Sequence, residues 1–117
     1  MPPVDAPTLS DAGQAVAYLE EISPQLRGCA ILSDRGEVLA ASGDDPERWG
    51  APARELLAAA DAAQGEPVAH AHVATEEGEA FCVREGGMAA VAATERFVLA
   101  SLMIFDLRSV LRELARR

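Results

Sequence analysis

The sequence predicts a single α/β domain of the α+β type, with a five-stranded antiparallel sheet, helices on both faces and the order α-β-β-α-β-β-β-α. Helical periodicity occurs at the start, in the middle and at the end of the chain, and two pairs of short apolar runs each flank a turn that contains glycine. The length of 117 residues suits one domain. We expect the proline-rich residues 1–8 to form a flexible lead and residues 9–117 to form the domain.

The first helix and the first hairpin follow from local patterns. A helix is predicted over residues 10–22, capped by Ser10 or Thr8, and it ends before Pro24 because a residue that precedes proline disfavours the helical conformation. Its apolar stripe is Leu9, Ala12, Val16, Leu19 and Ile22. Residues 27–42 then read RGCAILS, DRG and EVLAAS, which predicts two strands joined by a turn with Gly36 in the left-handed conformation. The first of these runs is apolar on both faces, so its strand should lie inside the sheet.

The second half of the chain contains two helices and three strands. The middle helix is predicted over residues 51–63, with Pro52 in its first turn and Gly65 as its C-cap. Its stripe is Ala53, Leu56, Leu57 and Ala60. A second hairpin is predicted from residues 67–75 and 79–84, a fifth strand from residues 88–94 and a last helix from residues 99–117. Residues 97–105 are apolar almost all round, which predicts burial on both sides or contact with another chain, and a strand remains an alternative there.

Charge and cysteine content narrow the classes of function. The formal net charge is −9 and the chain contains no lysine, so phosphate backbones and anionic lipid surfaces should repel it. Neither a signal-peptide pattern nor an apolar run of about 20 residues occurs, so we expect a cytoplasmic protein that does not span a membrane. Cys29 and Cys82 lie in apolar runs without zinc-site spacing and are predicted to be buried, reduced thiols.

Three groups of residues are candidates for chemistry, and each has an ordinary structural interpretation. His70 and His72 alternate on one strand and should share a face, where copies related by a two-fold axis could bind zinc or weaken pairing when protonated below about pH 6.5. Cys82 could approach His72 in one register, and an acidic cluster precedes Trp49. No orienting third group or phosphate-binding glycine loop accompanies them. The sequence therefore predicts no enzyme, no metal and no cofactor, and a protein that is not itself a GTPase.

Three segments together resemble the Roadblock/dynein light chain family over about residues 9–117. They are RGCAILSDRGEVLAAS after a helix that ends in ISP, the alanine- and leucine-rich middle helix, and the ending LASLMIFDLRSVLREL. The resemblance implies a profilin-like fold with one helix on one face of the sheet and two on the other. It also implies a homodimer that pairs through the strand after the long helix, and a role as regulator or docking platform for a Ras-like small GTPase.

The residues themselves agree with pairing through that strand. Residues 68–75 lack lysine, and proline occurs only just before them, so the usual protection of an edge strand is missing. We therefore predict a dimer interface formed by Val68, His70, His72 and Ala74 with Leu56 and Ala60 of the middle helix. Arg48, Trp49 and Arg54 are the predicted partner-binding residues, and the alternative for Trp49 is that it packs beneath its own helix. Two further functions remain open, a structural dimerisation module in an assembly and a small-ligand sensor.

Overall fold

The computed structural model describes residues 11–116, and its elements follow the predicted order. The lead predicted for residues 1–8 lies outside the described residues, as do Thr8, Leu9 and Ser10. The elements are α1 (Ala12–Ile22), β1 (Leu26–Ser33), β2 (Val38–Ala41), α2 (Pro46–Gln64), β3 (His70–Ala74), β4 (Glu79–Glu85), β5 (Met88–Thr94) and α3 (Ala100–Ala115).

The five strands form one sheet in the order β2-β1-β5-β4-β3, and every neighbouring pair is antiparallel. The predicted fold class is therefore confirmed. The first hairpin turns as expected, with Gly36 at a φ of 81°. β1 lies inside the sheet and is buried from Gly28 to Leu32, as its two apolar faces predicted. β3 forms one edge of the sheet and β2 forms the other.

Two hydrophobic layers enclose the sheet. On one face, α1 and α3 cover a core that includes Leu19, Ile31, Phe81 and Leu107. On the other face, α2 covers a smaller core that includes Leu32 and Cys82. Because side chains alternate along a strand, each central strand contributes to both layers. This arrangement matches the one helix and two helices that the resemblance implied.

The helix boundaries differ from the prediction where capping residues decide them. α1 begins at Ala12 because the Asp11 side chain accepts a hydrogen bond from the Gln14 N–H at 2.9 Å. α2 begins at Pro46 rather than at residue 51, because Asp45 caps the helix and proline is well suited to its first position. Pro52 therefore lies inside α2 rather than in its first turn, where it removes one intrahelical donor.

The structure around the start of α3 differs from two of the expectations. Residues 100–105 are helical, so the alternative of a strand is wrong. The start of α3 is not buried on both sides either, because Leu99 is 68% exposed and Phe105 is 63% exposed. The buried stripe of α3 consists of Met103, Leu107, Val110 and Leu111, without Leu99.

Candidate functional site

Within residues 11–116, no strand pairs with the outer edge of β3. Hydrogen bonds from Arg84 N–H to the Ala69 carbonyl and from Thr75 N–H to the Gly78 carbonyl fix which residues of the β3 segment bond to β4. In an antiparallel ladder, every second residue of the strand points its N–H and C=O groups away from the neighbouring strand, here away from β4. Those residues are His70, His72 and Ala74, three of the predicted interface residues.

The side chains of these residues lie on the face of the sheet that α3 covers. The His72 ring stacks on Phe81 with ring centroids 4.4 Å apart, and His72 Nε2 lies 2.6 Å from Glu79 Oε1. The hydrogen bond from His72 lowers the pKa of Glu79 below its ordinary value of 4.5. His70 Nδ1 lies 3.5 Å from Arg108 Nη2. Both histidines are thus on one face, as predicted, and each has a neighbour within its own chain.

A metal role for the histidines gains no support from the side chains of residues 11–116. Within that range no three histidine, cysteine, aspartate or glutamate side chains are grouped so that they could hold a metal ion. Within the described residues, the hydrogen-bonding neighbour of His72 is Glu79 of its own hairpin.

On the opposite face, α2 covers the sheet next to β3 only in part. α2 packs mainly on β1 and β2, and Asp61 in its later part pairs with Arg84 of β4. Alternation along the strands places Ala71, Val73, Ala80 and Val91 on this face. Val73 is 43% exposed, and the others are partly buried.

The predicted helix residues of the interface line the side of α2 that faces this strip. Leu56 and Ala60 are partly buried, and Leu56 packs against the α2-side core together with Val68 and Ala71. Val68 precedes β3 rather than lying in it. The structure therefore brings an open strand edge, a partly covered strip of small apolar side chains and one side of α2 next to one another.

The three predicted partner-binding residues point in different directions from the first turns of α2. Trp49 packs on β1, so closely that a Cβ at Gly28 would lie 2.2 Å from the indole ring. Arg54 forms an ion pair with Glu47 and donates to the Gly36 carbonyl at 3.0 Å. Arg48 is exposed. Trp49 thus takes the packing position that was its predicted alternative, while Arg48 is exposed and Arg54 is paired within its own chain.

Sequence reasoning missed an ion pair that fixes the connection between α2 and β3. Arg84 of β4 donates to both carboxylate oxygens of Asp61 at 2.7 and 2.8 Å. Asp61 accepts from the Val68 N–H at 2.9 Å, and Arg84 donates to the Val68 carbonyl at 3.0 Å. These contacts lower the pKa of Asp61 to about 2. The only signal in the sequence was an arginine at the end of an apolar strand.

A groove of about 600 Å³ lies on the other side of α2, beside the β1–β2 and β4–β5 turns. Its lining includes Leu57, Met88, Arg54, Asp61 and Arg84. Both arginines are already paired with carboxylates of the same chain. Among residues 11–116, moreover, every buried side-chain nitrogen or oxygen has a hydrogen-bond partner. The groove therefore offers a small ligand no buried polar group in need of a partner.

The two cysteines are buried in the core, and Asp45 and Glu47 of the acidic cluster serve as a helix cap and an ion-pair partner. Cys82 pairs with Ala71 and lies on the α2 side, so the approach to His72 that one register allowed does not occur. Burial raises the pKa of Cys29 to about 11 and raises that of Cys82 as well. In the acidic cluster, Asp45 caps α2 and Glu47 pairs with Arg54. None of the helices within residues 11–116 is both long and apolar enough to cross a membrane.

Comparison with solved structures identifies the fold. A Roadblock/LC7 domain from Streptomyces avermitilis is similar with a TM-score of 0.75 and 19% identity, over 92% of this chain and 97% of that one. The gliding protein mglB from Thermus thermophilus is similar with a TM-score of 0.66 and 18% identity, over 99% and 96% of the two chains. Myxococcus xanthus MglB is similar with a TM-score of 0.66 and 11% identity, over 90% and 94%. No family model and no curated protein matches the sequence. The chain therefore has the Roadblock fold that its sequence resembled.

Proposed function

We propose that the protein is a non-catalytic, cytoplasmic homodimer that regulates or docks a Ras-like small GTPase. The observation that carries the proposal is the open edge of β3 beside the strip of sheet that α2 covers only in part. A second copy that pairs with β3 satisfies the outward N–H and C=O groups, and its own α2 covers the strip. The GTPase partner is inferred from the resemblance to the Roadblock family. One solved structure with this fold is MglB with a tetrameric arrangement.

The pairing is antiparallel in this proposal, with the edge residues of each β3 facing one another across a two-fold axis. His70, His72 and Ala74 provide the strand contact. Val68 precedes the strand and has its N–H and C=O bonded to Asp61 and Arg84, so it contributes its side chain. Leu56 and Ala60 provide the contact between the two α2 helices, where small side chains allow close approach. The strand contact and the contact between the α2 helices both bury apolar surface that is accessible in a single copy.

The strand contact is tested with two substitutions at one position. His72→Pro removes an outward N–H without removing a β3–β4 hydrogen bond, so it should weaken the dimer about tenfold or more while each copy stays folded. His72→Ala keeps that N–H and should retain the dimer. Sedimentation velocity across a range of concentrations measures both. A wild-type protein that stays monomeric at high concentration would exclude the dimer.

The proposed binding of a GTPase is tested by using this protein to capture partners from lysate in the presence of GDP or of a non-hydrolysable GTP analogue. Capture of a Ras-like GTPase that depends on the nucleotide supports regulation, whereas capture without such dependence supports the alternative of a structural dimerisation module. Arg48→Ala and Arg54→Ala should each weaken capture about tenfold if these side chains contact the partner. Arg112→Ala is the matched control, because Arg112 is an exposed arginine on α3, on the other face.

A further inference from the structure

Exposed apolar side chains concentrate where α1 ends and α3 begins. Among residues 11–116, seven large apolar side chains are exposed, and five of them belong to this region. They are Ile22, Phe97, Leu99, Leu102 and Phe105. Phe97 is 85% exposed and Leu102 is 53% exposed. Contiguous exposed apolar surface marks interaction sites in soluble proteins, and this region lies on the face opposite α2.

A notch of about 190 Å³ separates the end of α1 from the start of α3. Its walls include Ile22, Leu102 and Met103, and Asp106 lies at its edge. We call it the α1–α3 notch. Within residues 11–116, Asp106 has no hydrogen bond or ion pair, and desolvation raises its pKa above the ordinary value of 3.8. The carboxylate thus lies among apolar side chains, where a cationic group of a partner would offset its partial desolvation.

The loop before α3 also holds an aromatic ring outward at unfavourable backbone geometry. Phe97 has a φ of 64°, a left-handed conformation that bulky residues rarely adopt. Its ring contacts the Arg96 guanidinium, whose carbon lies 4.5 Å from the ring centroid. Phe97 and Leu102 both line the notch. The exposed ring therefore extends the apolar wall of the α1–α3 notch toward solvent.

We propose that the α1–α3 notch binds a segment of a partner protein that presents an arginine or lysine between apolar side chains. The cationic group pairs with Asp106, and its aliphatic stem lies along Ile22 and Leu102. We choose a basic partner rather than a second copy, because the chain has a net charge of −9 and no cation within residues 11–116 pairs with Asp106. The notch is formed by the ends of α1 and α3 and contains no residue of β3, although Phe97 on its wall also adjoins Ala74 and Thr75 at the end of β3.

The binding test uses a fluorescent amphipathic peptide of leucine and lysine as the probe, and anisotropy as the readout. Asp106→Asn and Leu102→Ser should each lower the affinity about tenfold. Two matched controls should bind like the wild type: Glu55→Gln removes an exposed carboxylate from α2, and Leu39→Ser removes an apolar side chain of β2 that is 48% exposed. Equal weakening by Asp106→Asn and Glu55→Gln would mean unspecific attraction to an acidic protein and would overturn the proposal.

Thermal unfolding of the free protein separates binding from a structural role. Asp106→Asn should keep or raise the melting temperature, because it removes a desolvated charge that has no partner. A lower melting temperature would show that Asp106 serves the fold, which contradicts the proposal. Sedimentation gives the remaining outcome: an oligomer larger than a dimer that Leu102→Ser abolishes would make a second copy the occupant, and the proposal would be wrong.

Discussion

The two edges of the sheet differ in how much of the chain covers them. β2 has only four residues, and α1 contacts it on one face while α2 contacts it on the other. β3 packs mainly on β4, and four of its five residues are exposed. An open edge invites pairing with another chain, which soluble proteins usually prevent. The two edge strands thus differ in how their faces are covered: β2 lies between two helices of the same chain, whereas β3 is largely exposed, which is why we propose that a second chain pairs with β3.

The largest effect should come from forcing α2 away from the covered edge. A Cβ at Gly28 would lie 2.2 to 2.7 Å from three atoms of the Trp49 indole, so Gly28→Ala displaces either the ring or the strand. We expect a loss of about 3 kcal/mol in the free energy of unfolding, as is usual when extra atoms enter a packed core. Urea denaturation measures it.

The double variant Gly28→Ala/Trp49→Phe tests whether the contact with Trp49 causes the loss of stability. Trp49→Phe removes the indole atoms that clash, so the combination with Gly28→Ala should be more stable than Gly28→Ala alone. Strict additivity of the two changes would contradict the contact. If Gly28→Ala also alters the dimer, the covered edge and the open edge are coupled through α2 and are not independent.

The sequence predicted the first hairpin and the edge position of β3 because local patterns set both. The apolar run of β1 and the turn at Gly36 determine the first hairpin, and the absence of lysine around β3 indicates an open edge. Local sequence patterns do not predict contacts between residues that are far apart in the chain. The Asp61–Arg84 pair joins residues 23 positions apart, and the pairing of His72 with Glu79 depends on the register of a hairpin. The early start of α2 depends on Asp45, a member of the acidic cluster before Trp49 that caps the helix.

A smaller effect should follow from loosening the end of β2. The Ser42 hydroxyl accepts a hydrogen bond from the buried Cys29 N–H at 3.0 Å. Ser42→Ala leaves that donor unsatisfied and should cost about 1–2 kcal/mol. Ser33→Ala is the matched control at the other end of the hairpin, because the groups bonded to Ser33 are exposed and can turn to water. Equal losses in the two variants would mean that burial at the covered edge is not what matters.

The smallest effect, and the one most specific to the open edge, concerns Asp61. Its pKa of about 2 lies below the ordinary 3.8, so its ionised form stabilises the fold above about pH 3.8, and this stability is lost as the pH falls toward 2. Asp61→Asn should therefore melt below the wild type at neutral pH, and the gap should close as the solution becomes acidic. Asp44→Asn controls for the loss of one negative charge. The amide of Val68 should also exchange its hydrogen faster in Asp61→Asn, because that amide loses a carboxylate acceptor next to β3. A gap that stays constant down to pH 2 would mean that the ion pair does not hold the open edge in place.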